Sequence, residues 1–242
     1  MKIFVAGATG ATGQLLVAQL LERGNQVVAV VRSVERVPEA LRENDNLTLV
    51  QASLLDLNDN EMEELVAGCN AAASCLGHNL TLRGIFGRPH RLVTEATRRI
   101  CLAIKANQPT APVRYVLMNT TGNRNRDVDE PLTFGEKMVI GIMRSLVPPQ
   151  ADNEDAAEYL RSEIGQTDAM IEWVAVRPDG LIDEDAVTEY SVHPSPIRSP
   201  VFDSGQTSRI NVGHFMAELI TNDADWAKWQ GQMPVLYNQT ES

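Results

Sequence analysis

Apolar residues come in short unbroken runs separated by amphipathic stretches, and the two alternate from the first residues onward. Lys2–Ala6 is too short an apolar run for a helix and predicts a strand. Ala11–Arg23 repeats apolar positions at helical spacing, and Gly24 stops it as a C-terminal glycine does. Gln26–Val31 is β-branched with no alternation, the pattern of a strand covered on both faces of a parallel sheet. Leu47–Gln51 predicts a third strand, and Asn58 with Asp59 is placed to cap a helix running to Ala67. Asn70–Cys75 follows as an alanine-rich strand, and Arg91–Asn107 as a long amphipathic helix. Arg114–Met118, Ala151–Gly165 and Ile171–Arg177 then read as strand, helix and strand.

This order predicts an α/β chain, a Rossmann-like doubly wound parallel sheet. Beyond Pro178 the alternation breaks. Pro194, Pro196 and Pro200 predict an irregular excursion over Val192–Pro200. A helix over Val212–Ile220 and a short strand over Pro234–Tyr237 follow. With no internal repeat or linker, the expectation is one domain over 1–242: a core through 181, and a small C-terminal cap over 182–242 on the substrate side.

Charge narrows the partners. With 21 Lys+Arg against 32 Asp+Glu the net charge is −11, which argues against a nucleic-acid binder, because phosphate backbones need a concentrated basic surface. No apolar run approaches the ~20 residues that span a bilayer, so no membrane partner is expected. Met1–Ala6 briefly imitates an export signal, but Gly7 cuts it short. Cys69, Cys75 and Cys101 are odd in number and lack CxxC spacing, which predicts reduced, packed thiols in a cytoplasmic protein.

The chemistry concentrates in Gly7-Ala8-Thr9-Gly10-Ala11-Thr12-Gly13, between the first strand and the first helix. In that setting three glycines at spacing three predict a dinucleotide site. Gly7 permits the tight turn, Gly10 lets backbone amides approach a pyrophosphate, and Gly13 lets helix and sheet pack closely. Thr9, Ala11 and Thr12 complete the expected cofactor contacts, where the helix N-terminus offers unpaired N–H groups. The second strand ends in Arg32-Ser33, with no acid before Glu35. A guanidinium and a hydroxyl suit a 2′-phosphate, so NADP (as NADPH) is expected over NAD.

GATGATGQ, VVAVVRS, LLDL, SCLGH and RPDGL, taken together, resemble the atypical short-chain dehydrogenase/reductases. The likeness is to their NAD(P)H-binding group of NmrA-like regulators and flavin- and biliverdin-reductase-like proteins. It implies that Asp56 and Leu57 lie by the adenine, and that Ser74, Cys75, Leu76 and Gly77 line the ribose side. It further implies that Asn119, Thr120 and Thr121 face the nicotinamide, above a floor of Arg177-Pro178-Asp179-Gly180-Leu181, with Pro178 touching the cofactor. For Asp56 a capping or turn carboxylate is an equal alternative.

The wider superfamily uses a Tyr with a Lys four residues later, and no tyrosine here has one: Tyr115, Tyr159, Tyr190 and Tyr237 are followed at that spacing by Asn119, Glu163, Pro194 and Glu241. The catalytic candidates are Thr120, Thr121 and His78, a hydroxyl or imidazole steering the acceptor. The four histidines lack zinc spacing, so no metal is expected. Asp152–Glu158 and Asp183–Asp185 read as solvated acidic faces, Arg124 and Arg126 as loop arginines, and Trp226 and Trp229 as staples for the last helix. The segments 84–89 and 187–206 are expected to shape the substrate pocket. The leading expectation is an NADPH-dependent reductase passing hydride to a flavin, quinone or conjugated carbonyl of unspecified identity. The alternative is a non-catalytic NADP(H) sensor that reports to a protein partner. A nucleotide-sugar isomerase or dehydratase fits less well, since it wants the Tyr/Lys pair.

Overall fold

The computed structural model describes residues 1–77, 91–130, 133, 135, 136, 138, 139, 141, 148–199 and 201–239. Its strands are β1 (Lys2–Ala6), β2 (Gln26–Val31), β3 (Leu47–Gln51), β4 (Ala71–Ser74), β5 (Val113–Met118), β6 (Ile171–Pro178), β7 (Gly180–Ile182), β8 (Tyr190–His193), β9 (Gln206–Ser208) and β10 (Val235–Asn238). Eight of them form one sheet in the order β3-β2-β1-β4-β5-β6-β10-β8, and β7 pairs with β9 apart from it. Pairing in the large sheet is parallel except between β10 and β8. The chain winds outward in both directions from β1 and β4, so a crevice opens at their C-terminal ends, where such folds bind ligands.

The helices are α1 (Ala11–Glu22), α2 (Glu39–Arg42), α3 (Asp59–Val66), α4 (Leu92–Ala106), α5 (Pro148–Tyr159), α6 (Arg209–Thr221) and α7 (Asp223–Trp229). Strand alternation assigns the two faces. Ile3 and Val5 pack with Leu16, Leu20, Phe215 and Met216 of α1 and α6. Phe4 and Ala6 pack with Met62, Val93 and Ile100 of α3 and α4. Burial on both faces is why these strands read as unbroken apolar runs.

The helix ends show which polar residues are structural. Asn58 Oδ1 accepts from Glu61 N (3.0 Å) while Glu61 Oε2 accepts from Asn58 N (2.7 Å), a capping box at the expected place. Asp152, read from the sequence as part of a solvated face, is instead 2% exposed. Its Oδ2 accepts from Val93 N (2.8 Å), and its Oδ1 from Thr94 N (2.9 Å) and Thr94 Oγ1 (2.6 Å). It therefore caps α4 from α5. No local pattern encodes a cap supplied by another helix.

The C-terminal region is more ordered than its prolines suggest. Val192 and His193, assigned to an irregular excursion, belong to β8 and pair with Leu236 and Val235. Trp226 and Trp229 lie on α7, a separate helix beyond α6, and both are buried. Trp226 Nε1 donates to Glu172 (2.6 Å), and the Arg114 guanidinium lies over its ring. Among the described residues no helix is long and apolar enough to cross a membrane.

Candidate active site

The parallel strands bring β1, β2, β3, β4, β5 and β6 to one edge, and nearly every sequence-derived candidate stands there. At its centre the chain turns off β1 through Gly7, whose φ of +83° only glycine adopts without strain. A side chain on Gly7 would also meet the Cys75 carbonyl at 2.7 Å, so the turn lies directly on the exit of β4. Gly10 N donates to Gly7 O (2.9 Å) and closes the turn. Gly10 carries no capping side chain, and the first turn of α1 holds no acid. The leading N–H groups of α1 are thus left to an anion from outside. Thr9 is half-buried, Ala11 exposed, and Thr12 and Gly13 buried.

On the β2 side Arg32 is exposed, with no hydrogen bond or ion pair to another described residue. Ser33 Oγ donates to Glu35 (2.7 Å), which holds that carboxyl below its usual value. At the end of β3, Asp56 is exposed in a turn where its N–H donates to Ser53 O (2.9 Å), and Leu57 is half-buried. Arg99 of α4 donates to Leu54 O (2.7 Å) and to Leu57 O, and so fixes this turn from the far layer.

Beyond β4, Leu76 is half-buried and Gly77 exposed. Ser74 is fully buried and its Oγ lacks a hydrogen-bond partner of normal geometry, so what it presents at this edge is backbone. The Cys75 sulfur lies 3.9 Å from Met216 Sδ, and burial pushes its thiol up to about 12, away from any nucleophilic role. His78 and the segment 84–89 lie outside the described residues.

β5 and β6 close the other side. Asn119 is buried: its N donates to Val176 O (2.7 Å), its Nδ2 to Asn153 O (2.9 Å), and its Oδ1 accepts from Thr120 N (2.8 Å). The structure separates the two threonines. Thr120 is half-buried, with its Oγ1 accepting from Gly122 N (3.3 Å). Thr121 is 6% exposed; its N donates to Pro178 O (3.2 Å) and its Oγ1 to Asp179 Oδ1 (3.0 Å). Burial raises the Asp179 carboxyl above its ordinary value against the N–H of Gly205, the Thr121 hydroxyl and the N–H of Gly180.

Arg177, expected in the floor of this pocket, is fully buried and works as a clamp. It donates to Glu130 through two nitrogens (3.0 and 2.6 Å), to Met233 O (2.6 Å), to Asn123 O (2.9 Å) and to Pro194 O (3.3 Å). Four chain segments are tied to one guanidinium. Tyr159 packs toward α4 among the residues beneath the sheet, and its phenol is pushed up to about 12 by burial.

These positions fit a dinucleotide: an open helix N-terminus free of acidic side chains, a glycine that leaves room for phosphate, and at the end of β2 an arginine with no partner among the described residues. Among the described residues no cluster of His, Cys, Asp or Glu could hold a metal. Residues 7–223 match a family model described as NAD(P)H-binding. An uncharacterized chloroplastic protein of Arabidopsis thaliana is 39% identical over 74 residues, 31% of this chain and 26% of its own. A 3-diazoavenalumate denitrifying reductase of a Streptomyces species is 35% identical over 115 residues, 44% of this chain and 34% of its own. The matched stretches thus span only a quarter to a third of these curated relatives. A short-chain dehydrogenase/reductase of Veillonella parvula, solved in complex with NADP, superposes with a TM-score of 0.70 at 15% identity, covering 98% of this chain and 94% of that one. At that identity the likeness is one of fold.

Proposed function

The chain belongs to the NAD(P)H-binding family, and on that footing we propose that it is an NADPH-dependent reductase whose acceptor is a flavin, quinone or conjugated carbonyl. One observation carries the reading: the open glycine turn shares its edge with two threonine hydroxyls, and among the described residues no tyrosine is followed four positions later by a lysine. A bound reduced nicotinamide supplies hydride, and electron-poor acceptors need little further activation. Thr9, Gly10, Ala11, Thr12 and Gly13 hold the pyrophosphate, Arg32 and Ser33 the 2′-phosphate, and the exits of β3 and β4 the adenosine. Asn119, pinned to α5, sets the backbone of Thr120 and Thr121 beside Pro178, so that a hydroxyl steers the acceptor's oxygen. The three thiols, with no disulfide among them, suit a reducing compartment such as the cytoplasm.

The experiment is NADPH binding by calorimetry, followed by NADPH oxidation with FMN, menadione and trans-2-hexenal as acceptors. Binding with steady turnover of any of them supports the reductase. Binding with none favours a sensor.

Arg32→Ala should weaken NADPH by about 2–3 kcal/mol through loss of a charge-assisted contact, and leave NADH nearly unaffected. Equal losses for both nucleotides in calorimetry would mean that Arg32 supports the loop and does not read the phosphate. Tyr159→Phe should change kcat/KM by less than about fivefold, because Tyr159 packs against the core cluster that includes Ile100 and Ile104 of α4. Thr120→Val and Thr121→Val should each cost more. A hundredfold loss in Tyr159→Phe with both threonine variants active would restore a tyrosine mechanism.

A further inference from the structure

Behind Thr121 stands a carboxyl to which the reading so far gives no task. Asp179 is 7% exposed and has no ion pair within 4 Å among the described residues. Its Oδ1 meets Thr121 Oγ1 (3.0 Å) and accepts from Gly180 N (3.0 Å), while its Oδ2 accepts from Gly205 N (2.8 Å). Its own N donates to Thr207 Oγ1 (3.2 Å), which donates onward to Leu236 O (2.5 Å). The group is fixed at once by the exit of β5, by the start of β7 and by the approach to β9. A threonine hydroxyl alone is a poor acid. One joined to a buried carboxyl has a proton supply.

We propose that Asp179 is the proton reservoir of the site, recharging the Thr121 hydroxyl as that hydroxyl passes its proton to the reduced acceptor. The inference rests on the reductase reading above and names the group that does the work of the missing tyrosine–lysine pair. Asp179 is thus a positioning and supplying residue, and Thr121 is the one that meets the acceptor.

The step balances for a conjugated carbonyl. Hydride from the reduced nicotinamide makes the new C–H bond at the β-carbon, and the displaced π pair is protonated as the Thr121 O–H bond breaks. The Asp179 O–H bond breaks in turn, its proton restoring the Thr121 hydroxyl. The carboxylate left behind keeps the N–H donors of Gly180 and Gly205, and takes its next proton from water. The sum is acceptor, NADPH and one proton going to reduced acceptor and NADP⁺.

The charged neighbours permit a proton to be held there. Arg198 is the cation that acts on Asp179, but its guanidinium donates to Asp203 (3.2 and 2.7 Å). Arg177, two residues earlier, is committed to Glu130. Tyr237 of β10, whose ring stands where a Gly205 side chain would point, is held neutral, its phenol raised by burial and by Asp179. Burial therefore dominates at Asp179. The folded protein holds this proton to higher pH than the unfolded chain, whose reference value is 3.8. Stability from the group is full below that value and is lost as pH rises through the folded one.

The apoprotein is tested first. An infrared pH titration should show a protonated-carboxyl band persisting above the ordinary aspartate range, and Asp179→Asn should remove it. In turnover with saturating NADPH and menadione or trans-2-hexenal, wild-type kcat/KM should fall tenfold per pH unit above that titration. Asp179→Asn should lose roughly 10²-fold and the pH limb with it, while its NADPH affinity stays within about twofold. Thr121→Val, which leaves the carboxyl in place, should show the same loss, and Thr121→Ser should regain most of it; this pair carries the test if Asp179→Asn does not fold. Absence of the band in wild type, or wild-type rates and pH limb in Asp179→Asn or Thr121→Val, overturns the assignment. A chain that binds no NADPH, or binds it and turns over no acceptor, sinks the reductase reading and this proton path together. Normal turnover with an unaltered Asp179→Asn profile sinks this inference alone.

Discussion

Arg177→Met should cost about 3–5 kcal/mol of folding stability, the range found when one partner is removed from a buried ion pair. The Met chain approximates the volume of the stem but leaves the Glu130 carboxyl buried without its cation. It also strands the carbonyls of Met233, Asn123 and Pro194, each of which accepts from the guanidinium. Urea denaturation of the two proteins measures the difference directly. Arg177→Met combined with Glu130→Leu should recover a large part of the loss, because the unpaired charge goes with its partner. A single-variant loss below about 1 kcal/mol would mean that water reaches the pair and that the clamp is not structural.

The two glycines of the turn should fail in different ways. A Cβ on Gly13 falls 2.8 Å from the Gly7 carbonyl carbon and closer still to its oxygen, which is backbone and has nowhere to go. Gly13→Val should therefore displace α1 from the sheet and abolish cooperative unfolding, or lower stability by more than ~3 kcal/mol. A Cβ on Gly10 meets the Gly7 oxygen at 3.2 Å, and its φ of −78° is open to any residue. Gly10→Val should keep the fold and fill the space where the pyrophosphate must approach, so NADPH affinity should fall by at least ~100-fold, or ~2.7 kcal/mol. Calorimetry beside thermal melts separates the two outcomes. Unchanged affinity in Gly10→Val would move the dinucleotide away from this turn.

Much of this architecture is legible along the chain because its determinants are local. Gln26–Val31 and Leu47–Gln51 form strands within the expected bounds, since a β-branched run between turn residues has few other ways to bury itself. Asn58 and Glu61 form their box because both partners lie within one turn. The glycine motif locates the turn because Gly7 answers a positive φ and Gly13 a backbone approach too close for any side chain. The prolines near residue 196 suggested disorder of pattern, yet β8 forms just before them. Its stability comes from pairing with β10, more than forty positions later, and no local signal records that.

By itself, then, the sequence determined the order of elements, the site of the glycine turn, the lack of a lysine four residues after any tyrosine and the basic character of the position after β2. These follow from period, spacing and residue type. Only the tertiary structure decided what the polar residues do once the sheet closes. It turned Asp152 from a surface acid into the cap of α4, sealed the Ser74 hydroxyl inside, and made Arg177 the clamp on Glu130. It also left the Thr120 hydroxyl half-open while committing that of Thr121 to Asp179, although the two are neighbours of identical chemistry. The reason is physical: a buried polar group must find its partner wherever the fold places one, and these partners stand tens of residues away along the chain.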